Sequence, residues 1–258
     1  MPELFQGTEG IECIEDIYAT MNYNCPNPCT TSRMLWKLRQ DCKICDHNYS
    51  YEKMLEKAVA ILAKEGQMQG WFNQCPTASG MTDASEDRSS SAHKGKGRNV
   101  DLVHWSNSSK RLRLVELKWN KQTDHPYSAM WQIVGYGIAY IFCRIHRDKL
   151  PLRGNCLMNA SHVALEVVAP SQYYIGHDDS KNYAQVGKTL EEFARTQIGG
   201  HFSMSLNVFS LPADFMQVFE QDFKSGRDVK EKCFTKMLSD EGRRVQDAFG
   251  SLALAWPG

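Results

Sequence analysis

The sequence has no surplus of charge: thirty Lys and Arg face thirty Asp and Glu. No global field therefore draws in a polyanion, and a nucleic-acid partner must meet a local basic patch. It also has no apolar run of spanning length. The longest, "IVGYGIAYIFC" over 133–143, falls well short of the ~20 residues a membrane helix needs. The acidic opening "MPELFQGTEGIECIEDI" lacks a signal peptide's basic and apolar regions, so the expectation is a cytoplasmic protein with no membrane contact. No internal repeat is present. Nine cysteines, an odd number scattered over a long chain, fit reduced thiols better than a disulfide framework.

What is there suits one large domain, or a core domain with an appendage: 258 residues, 42% hydrophobic and 23% charged. Residues 1–49 are irregular around a short helical stretch, "SRMLWKLRQ", and read as an N-terminal, Cys-containing appendage or layer. From Ser50 the pattern turns regular. Tyr51, Met54, Leu55, Ala58, Val59 and Leu62 recur at helical spacing, with Ser50 as N-cap and Gly66 as stop. "GWFNQCPTASG" (70–80) reads as a short strand, and the Ser-, Gly- and charge-rich stretch from about 82 to 98 as a loop. A hairpin follows, then a helix from about Pro126 to Cys143, a strand over 162–169, a helix near "KTLEEFARTQI", a strand near "FSMSLNVFSL", and helices in the last forty residues. Interleaved strands and helices predict an α/β fold, with α+β as the neighbouring possibility: a central mixed sheet flanked by helices, occupying 50–258.

The hairpin "NVDLVHWSNSSKRLRLVELKWN" (99–120) carries the chemistry. Side chains alternate along a strand, so Leu112, Leu114, Glu116 and Lys118 share one face, which turns from apolar to charged at its end. A turn at "SNSS" (106–109) sets Asp101 opposite Leu114, diagonal to Glu116. A turn shifted by one residue at both ends sets Asp101 directly opposite Glu116. Either alignment brings two carboxylates toward one ion. Mg²⁺ takes oxygen from one or two carboxylates and keeps its other positions for water and phosphate, and Lys118 adds a positive charge beside it. The bland alternative is a surface salt bridge worth about 0–1 kcal/mol. Asp222-Phe223-Lys224 repeats the short Glu/Asp-x-Lys pattern with no upstream strand and carboxylate, so context separates the two.

A helix, a strand, Asp101 in a second strand, fourteen intervening residues and "ELK" in a third strand followed by a helix resemble the PD-(D/E)XK nuclease superfamily, over about Ser50–Val168. Val100 stands where that signature has proline. "QIVGY" (Gln132–Tyr136) is similar to the Q-x-x-x-Y signature of the RecB and lambda-exonuclease branch, its amide and phenol sharing one helix face within reach of a nucleic-acid backbone. The resemblance implies a restriction-endonuclease-like core and Mg²⁺-dependent hydrolysis of nucleic-acid phosphodiesters, most often DNA, with Mn²⁺ able to substitute. It implies Asp101, Glu116 and the Leu117 carbonyl as metal ligands, and Lys118 as the group that positions or activates water. It further implies a glutamate on the first helix. Glu52 and Glu56 are both candidates, and Glu52 lies nearer the centre of the apolar stripe.

Lys94, Lys96 and Arg98, with Lys110, Arg111 and Arg113 at the hairpin tip, are candidate phosphate contacts. Cys25, Cys29, Cys42 and Cys45 have spacing open to a structural Zn²⁺, against which stands the helical look of the segment between them. His104, His125 and His162 form no ligand spacing and read as strand or cap residues. Two other readings compete: a non-cleaving nucleic-acid-binding or assembly protein on the same fold, and a small-molecule hydrolase or metal-binding domain on an unrelated one. Oligomeric state is open, a homodimer included.

Overall fold

The computed structural model describes residues 9–24, 36–43, 50–77, 99–119, 125–150, 152–177, 180–213, 215 and 242–255. Along them run α1 (Glu9–Asn24), α2 (Tyr51–Lys64), β1 (Trp71–Pro76), β2 (Asn99–Ser106), β3 (Arg111–Leu117) and α3 (Pro126–Ile145). Then follow a short 3-10 helix (Cys156–Asn159), β4 (His162–Pro170), α4 (Ser171–Tyr174), α5 (Ser180–Ile198), β5 (Ser203–Leu211), α6 (Gly242–Gly250) and β6 (Ala253–Leu254). The loop at 82–98 and the Asp222–Lys224 repeat lie outside the described residues. None of the described helices is long and apolar enough to cross a membrane.

The strands form one mixed sheet in the order β1-β2-β3-β4-β5-β6. The first three run antiparallel, β4 and β5 join parallel to β3, and two-residue β6 closes antiparallel on β5. Parallel neighbours need a crossover, and α3 and α5 supply it. Helices cover both faces. Leu112 and Leu114 of β3 belong to the core shared with α1, α3 and α5, while Val115 and Leu117 belong to the core shared with α2 and α6, as strand alternation requires. The fold is thus α/β, a mixed sheet flanked by helices.

Local chemistry sets the helices that matter. Ser50 caps α2 by accepting from the Lys53 amide at 3.2 Å, and Gly66, at φ 82, turns the chain away. His125 caps α3 by accepting from the Tyr127 amide, with Pro126 in the first turn. α3 is apolar nearly all round because it is buried between the sheet and α1 and α5. A Cβ on Gly137 would sit 2.6 Å from Leu165 Cδ1, so a bare glycine lets α3 lie against β4. α5 begins earlier than "KTLEEFARTQI": buried Tyr183, Val186, Leu190 and Ala194 keep helical spacing back to its first turn.

The described part of residues 1–49 is a layer on the core and is not irregular as expected: α1 makes a sixteen-residue helix of Glu9–Asn24. Ile14 and Met21 of α1 are fully buried on the α3 side, and Trp36 meets Tyr140 edge-to-face at 5.6 Å. Residues 36–40, the described part of "SRMLWKLRQ", are not helical, contrary to expectation. Polar groups of residues 36–41 go to the outer edge of β1: the Trp36 amide donates to Pro76 O, the Asn73 amide to Arg39 O, and the Asp41 amide to Asn73 Oδ1. An edge strand is thereby covered.

Candidate active site

The β2–β3 ladder runs from Ser106↔Arg111 to Leu102↔Val115, so the turn is 107–110, with Lys110 at φ 51. This is the second of the two alignments, and one step further it sets Asp101 opposite Glu116. Asp101 Oδ2 accepts the Leu117 amide at 3.0 Å.

Lys118 lies just past β3 on the α3 side. Its Nζ stands 2.9 Å from Glu116 Oε1 and donates to Gln132 Oε1 at 3.2 Å. Gln132 Nε2 donates to the Tyr136 hydroxyl (3.2 Å), which donates to the Asn99 carbonyl (3.1 Å) at the start of β2. The helical i, i+4 pair thus links the end of β3 to the start of β2 through Lys118. Gln132 is exposed, whereas Tyr136 is buried and turned inward. Burial and the nearby Glu116 charge push the Tyr136 phenol up, so it stays a neutral donor.

Glu116 is 2% exposed. Burial pushes its carboxyl well above the ordinary range and the Asp101 charge pushes it further, against Lys118. Burial also pushes Asp101 up, opposed by the Leu117 amide and reinforced by Glu56. One oxygen of the pair lacks a hydrogen bond: Glu116 Oε2 is buried without a partner among the described residues. A desolvated carboxylate oxygen beside a second carboxylate fits a hard divalent cation. Among the described residues no three His, Cys, Asp or Glu side chains form a metal cluster. The carboxylates brought together here are two, Asp101 and Glu116, a number that suits Mg²⁺, which keeps several waters.

α2 brings both glutamates to this end of the sheet. Glu52 Oε1 accepts the Trp119 amide at 2.9 Å, next to Lys118, and Trp119 stacks on Tyr51 with centroids 4.9 Å apart. Glu56 is the more buried of the two, at 1% exposure, which the stripe argument ranks the other way. Partners make that burial tolerable: Lys53 Nζ, Asn73 Nδ2 and Gln74 Nε2 all donate to its carboxylate. Burial still pushes Glu56 up, with Lys53 opposing.

Several expected residues are not brought to the triad. Arg113 sits on the opposite face, bidentate on Glu166 at 2.9 and 2.8 Å, with its guanidinium 5.0 Å from the Trp71 ring centroid. Lys110 donates to Asn107 at the hairpin tip, and six strand residues separate the tip from Glu116 by about 20 Å. Lys94, Lys96 and Arg98 lie outside the described residues, as do Cys25, Cys29 and Cys45. Cys42 Sγ contacts Gln40 O at 3.7 Å. His125 caps α3 and His162 bonds Ser203 and Ser205 in the sheet, the ordinary roles expected. Asn73, Gln74, Arg39 and the Asn99 carbonyl escaped sequence reasoning; the sole signal was an Asn-Gln pair inside an apolar strand.

No protein-family model, curated protein or solved structure matches the chain.

Proposed function

We propose that the protein is a metal-dependent nuclease that hydrolyses nucleic-acid phosphodiester bonds, DNA most of all, on a PD-(D/E)XK-like core. The observation that carries this reading is the unpartnered, buried Glu116 Oε2 beside Asp101, with Lys118 on the carboxylate's other oxygen. A surface salt bridge would be exposed on both sides; this pair is nearly inaccessible, with side chains 9% and 3% exposed. Burial of that kind without full compensation costs stability, and such costs concentrate at functional sites.

Bound Mg²⁺ supplies a nucleophilic water of lowered pKa and neutralises charge on the phosphoryl group. Asp101 and Glu116 would hold the cation, and the Leu117 carbonyl is the ligand that the PD-(D/E)XK resemblance adds. Lys118, steadied by Glu116 and Gln132, orients the water and stabilises the developing negative charge. Gln132, exposed beside Lys118, faces the substrate side, and Glu52 fixes the backbone after Lys118 through the Trp119 amide.

The test is cleavage of plasmid, linear duplex and single-stranded DNA with Mg²⁺, Mn²⁺ or EDTA, alongside Asp101→Ala and Lys118→Ala. Metal-dependent cutting by the wild type and its loss in both variants is the expected result. Absence of cleavage on every substrate, or variants that cut as well as the wild type, overturns the reading.

A further inference from the structure

The β1–β2 ladder is interrupted at one matched point. Trp71, Phe72 and Asn73 pair with His104, Val103 and Leu102, and Cys75 and Pro76 pair with Val100 and Asn99, in one register that passes over Gln74 and Asp101. Gln74 has φ 49, the left-handed region that a residue with a Cβ enters only at a cost. Side-chain parity inverts there in both strands. Trp71 and Leu102 belong to the α2-side core; uninterrupted alternation would send Cys75 and Val100 to that side too, yet both are in the α3-side core. Interruptions of this kind re-aim side chains and gather beside active sites.

Three contacts meet Gln74 there, of which the one to its carbonyl acts on the backbone. Arg39 Nε donates to its carbonyl at 2.6 Å, its own Nε2 donates to Glu56 Oε2 at 2.9 Å, and Asn99 Nδ2 donates to its Oε1 at 3.2 Å. On the facing strand, the Asp101 carboxylate accepts the Leu117 amide two residues beyond Val115, where the β2–β3 pairing stops. The side chain of Asp101 thus occupies the β2–β3 seam in place of backbone.

We propose that Gln74 is a positioning residue: its left-handed backbone, its carbonyl held by Arg39, opens the ladder opposite Asp101 and so directs the Asp101 carboxylate onto the Leu117 amide at the cation site. The consequence for cation binding rests on the nuclease reading; the geometric role does not.

Gln74→Val and Gln74→Gly in the full chain separate backbone from side chain. Valine resists positive φ and favours a regular strand, whereas glycine accepts φ 49 freely. Two readouts apply: hydrogen exchange of the Leu117 amide without metal, and Mn²⁺ affinity by calorimetry. Gln74→Val should speed Leu117 exchange about tenfold and weaken Mn²⁺ about tenfold or more, while Gln74→Gly stays within about threefold of wild type on both. Unchanged Leu117 exchange in folded Gln74→Val, or an equal loss in Gln74→Gly, overturns the proposal. Should Gln74→Val fail to fold, Arg39→Met removes the clamp on the Gln74 carbonyl and is judged by the same Leu117 exchange. A wild type that binds no Mn²⁺ sinks the nuclease reading while leaving Leu117 exchange to decide the positioning role.

Discussion

Lys118 Nζ stands 2.9 Å from one oxygen of Glu116, and the other oxygen of Glu116 is buried with no hydrogen-bond partner among the described residues. The ammonium therefore compensates half of a carboxylate that also feels Asp101. Four predictions come from that imbalance and from the contacts around it.

Lys118→Ala removes the positive charge at the site and leaves the two carboxylates in place. Cleavage should fall about 10²–10³-fold, the magnitude of losing one preorganised electrostatic contact, while Mn²⁺ binding stays within about tenfold of wild type. Single-turnover cleavage and calorimetry check this. A fall below about tenfold would remove Lys118 from the chemistry.

Asp101→Asn keeps an oxygen for the Leu117 amide and removes the charge that pushes Glu116 up. In EDTA the variant should be more stable than the wild type by on the order of 1 kcal/mol, yet cleave no substrate. Thermal melts beside the cleavage assay decide it; a less stable variant would mean that Asp101 contributes to folding through its charge.

The pH dependence has a definite sign. Burial raises both Asp101 and Glu116 in the folded state, so between the ordinary carboxylate pKa of about 4 and the raised values the unfolded chain has released protons that the folded one retains. The pair's contribution to apo stability is therefore highest at low pH and falls as pH rises through that window, by at most about 1.4 kcal/mol per pH unit for each group. On the proposed reading Mg²⁺ would replace those protons and so bind better at high pH. Melting with Mg²⁺ and with EDTA should differ more near about pH 8 than near about pH 5, and an equal difference at both would argue against the pair as cation ligands.

Tyr136→Phe deletes the hydroxyl between Gln132 and the Asn99 carbonyl. Stability should drop by about 1–2 kcal/mol through the lost bond and the orphaned acceptor. Turnover should fall with little change in KM, since Lys118 loses the support behind Gln132. An unchanged kcat with a raised KM would instead make Tyr136 a substrate contact.

Much of the frame was legible because its signals are local. Ser50 before an apolar stripe, Gly66 after it, His125-Pro126 before a helix, and alternation along 111–117 each depend on neighbours in sequence. The pairing of Asp101 with Glu116 was legible only to within one residue of turn length; the ladder from Ser106↔Arg111, with Lys110 at φ 51 in the turn, is the second alignment. The choice between Glu52 and Glu56 was not legible. A helical stripe says which face is buried, whereas Glu56 is buried because Asn73 and Gln74, 17 and 18 residues away, supply donors.

The sequence by itself determined most of the α/β elements and marked Asp101, Glu116, Lys118, Gln132 and Tyr136 as candidates, since periodicity, capping and short motifs are properties of nearby residues. Arg39, Asn73 and Gln74 emerged only from the fold. The tertiary structure alone decided how those side chains are held. Lys118 on Gln132, Tyr136 on Asn99, Arg113 on Glu166 and Arg39 on Gln74 each join separate elements, and no local rule couples them. A buried charge selects its partners by distance and desolvation in the folded chain, and those quantities exist only after the sheet and its helices have packed.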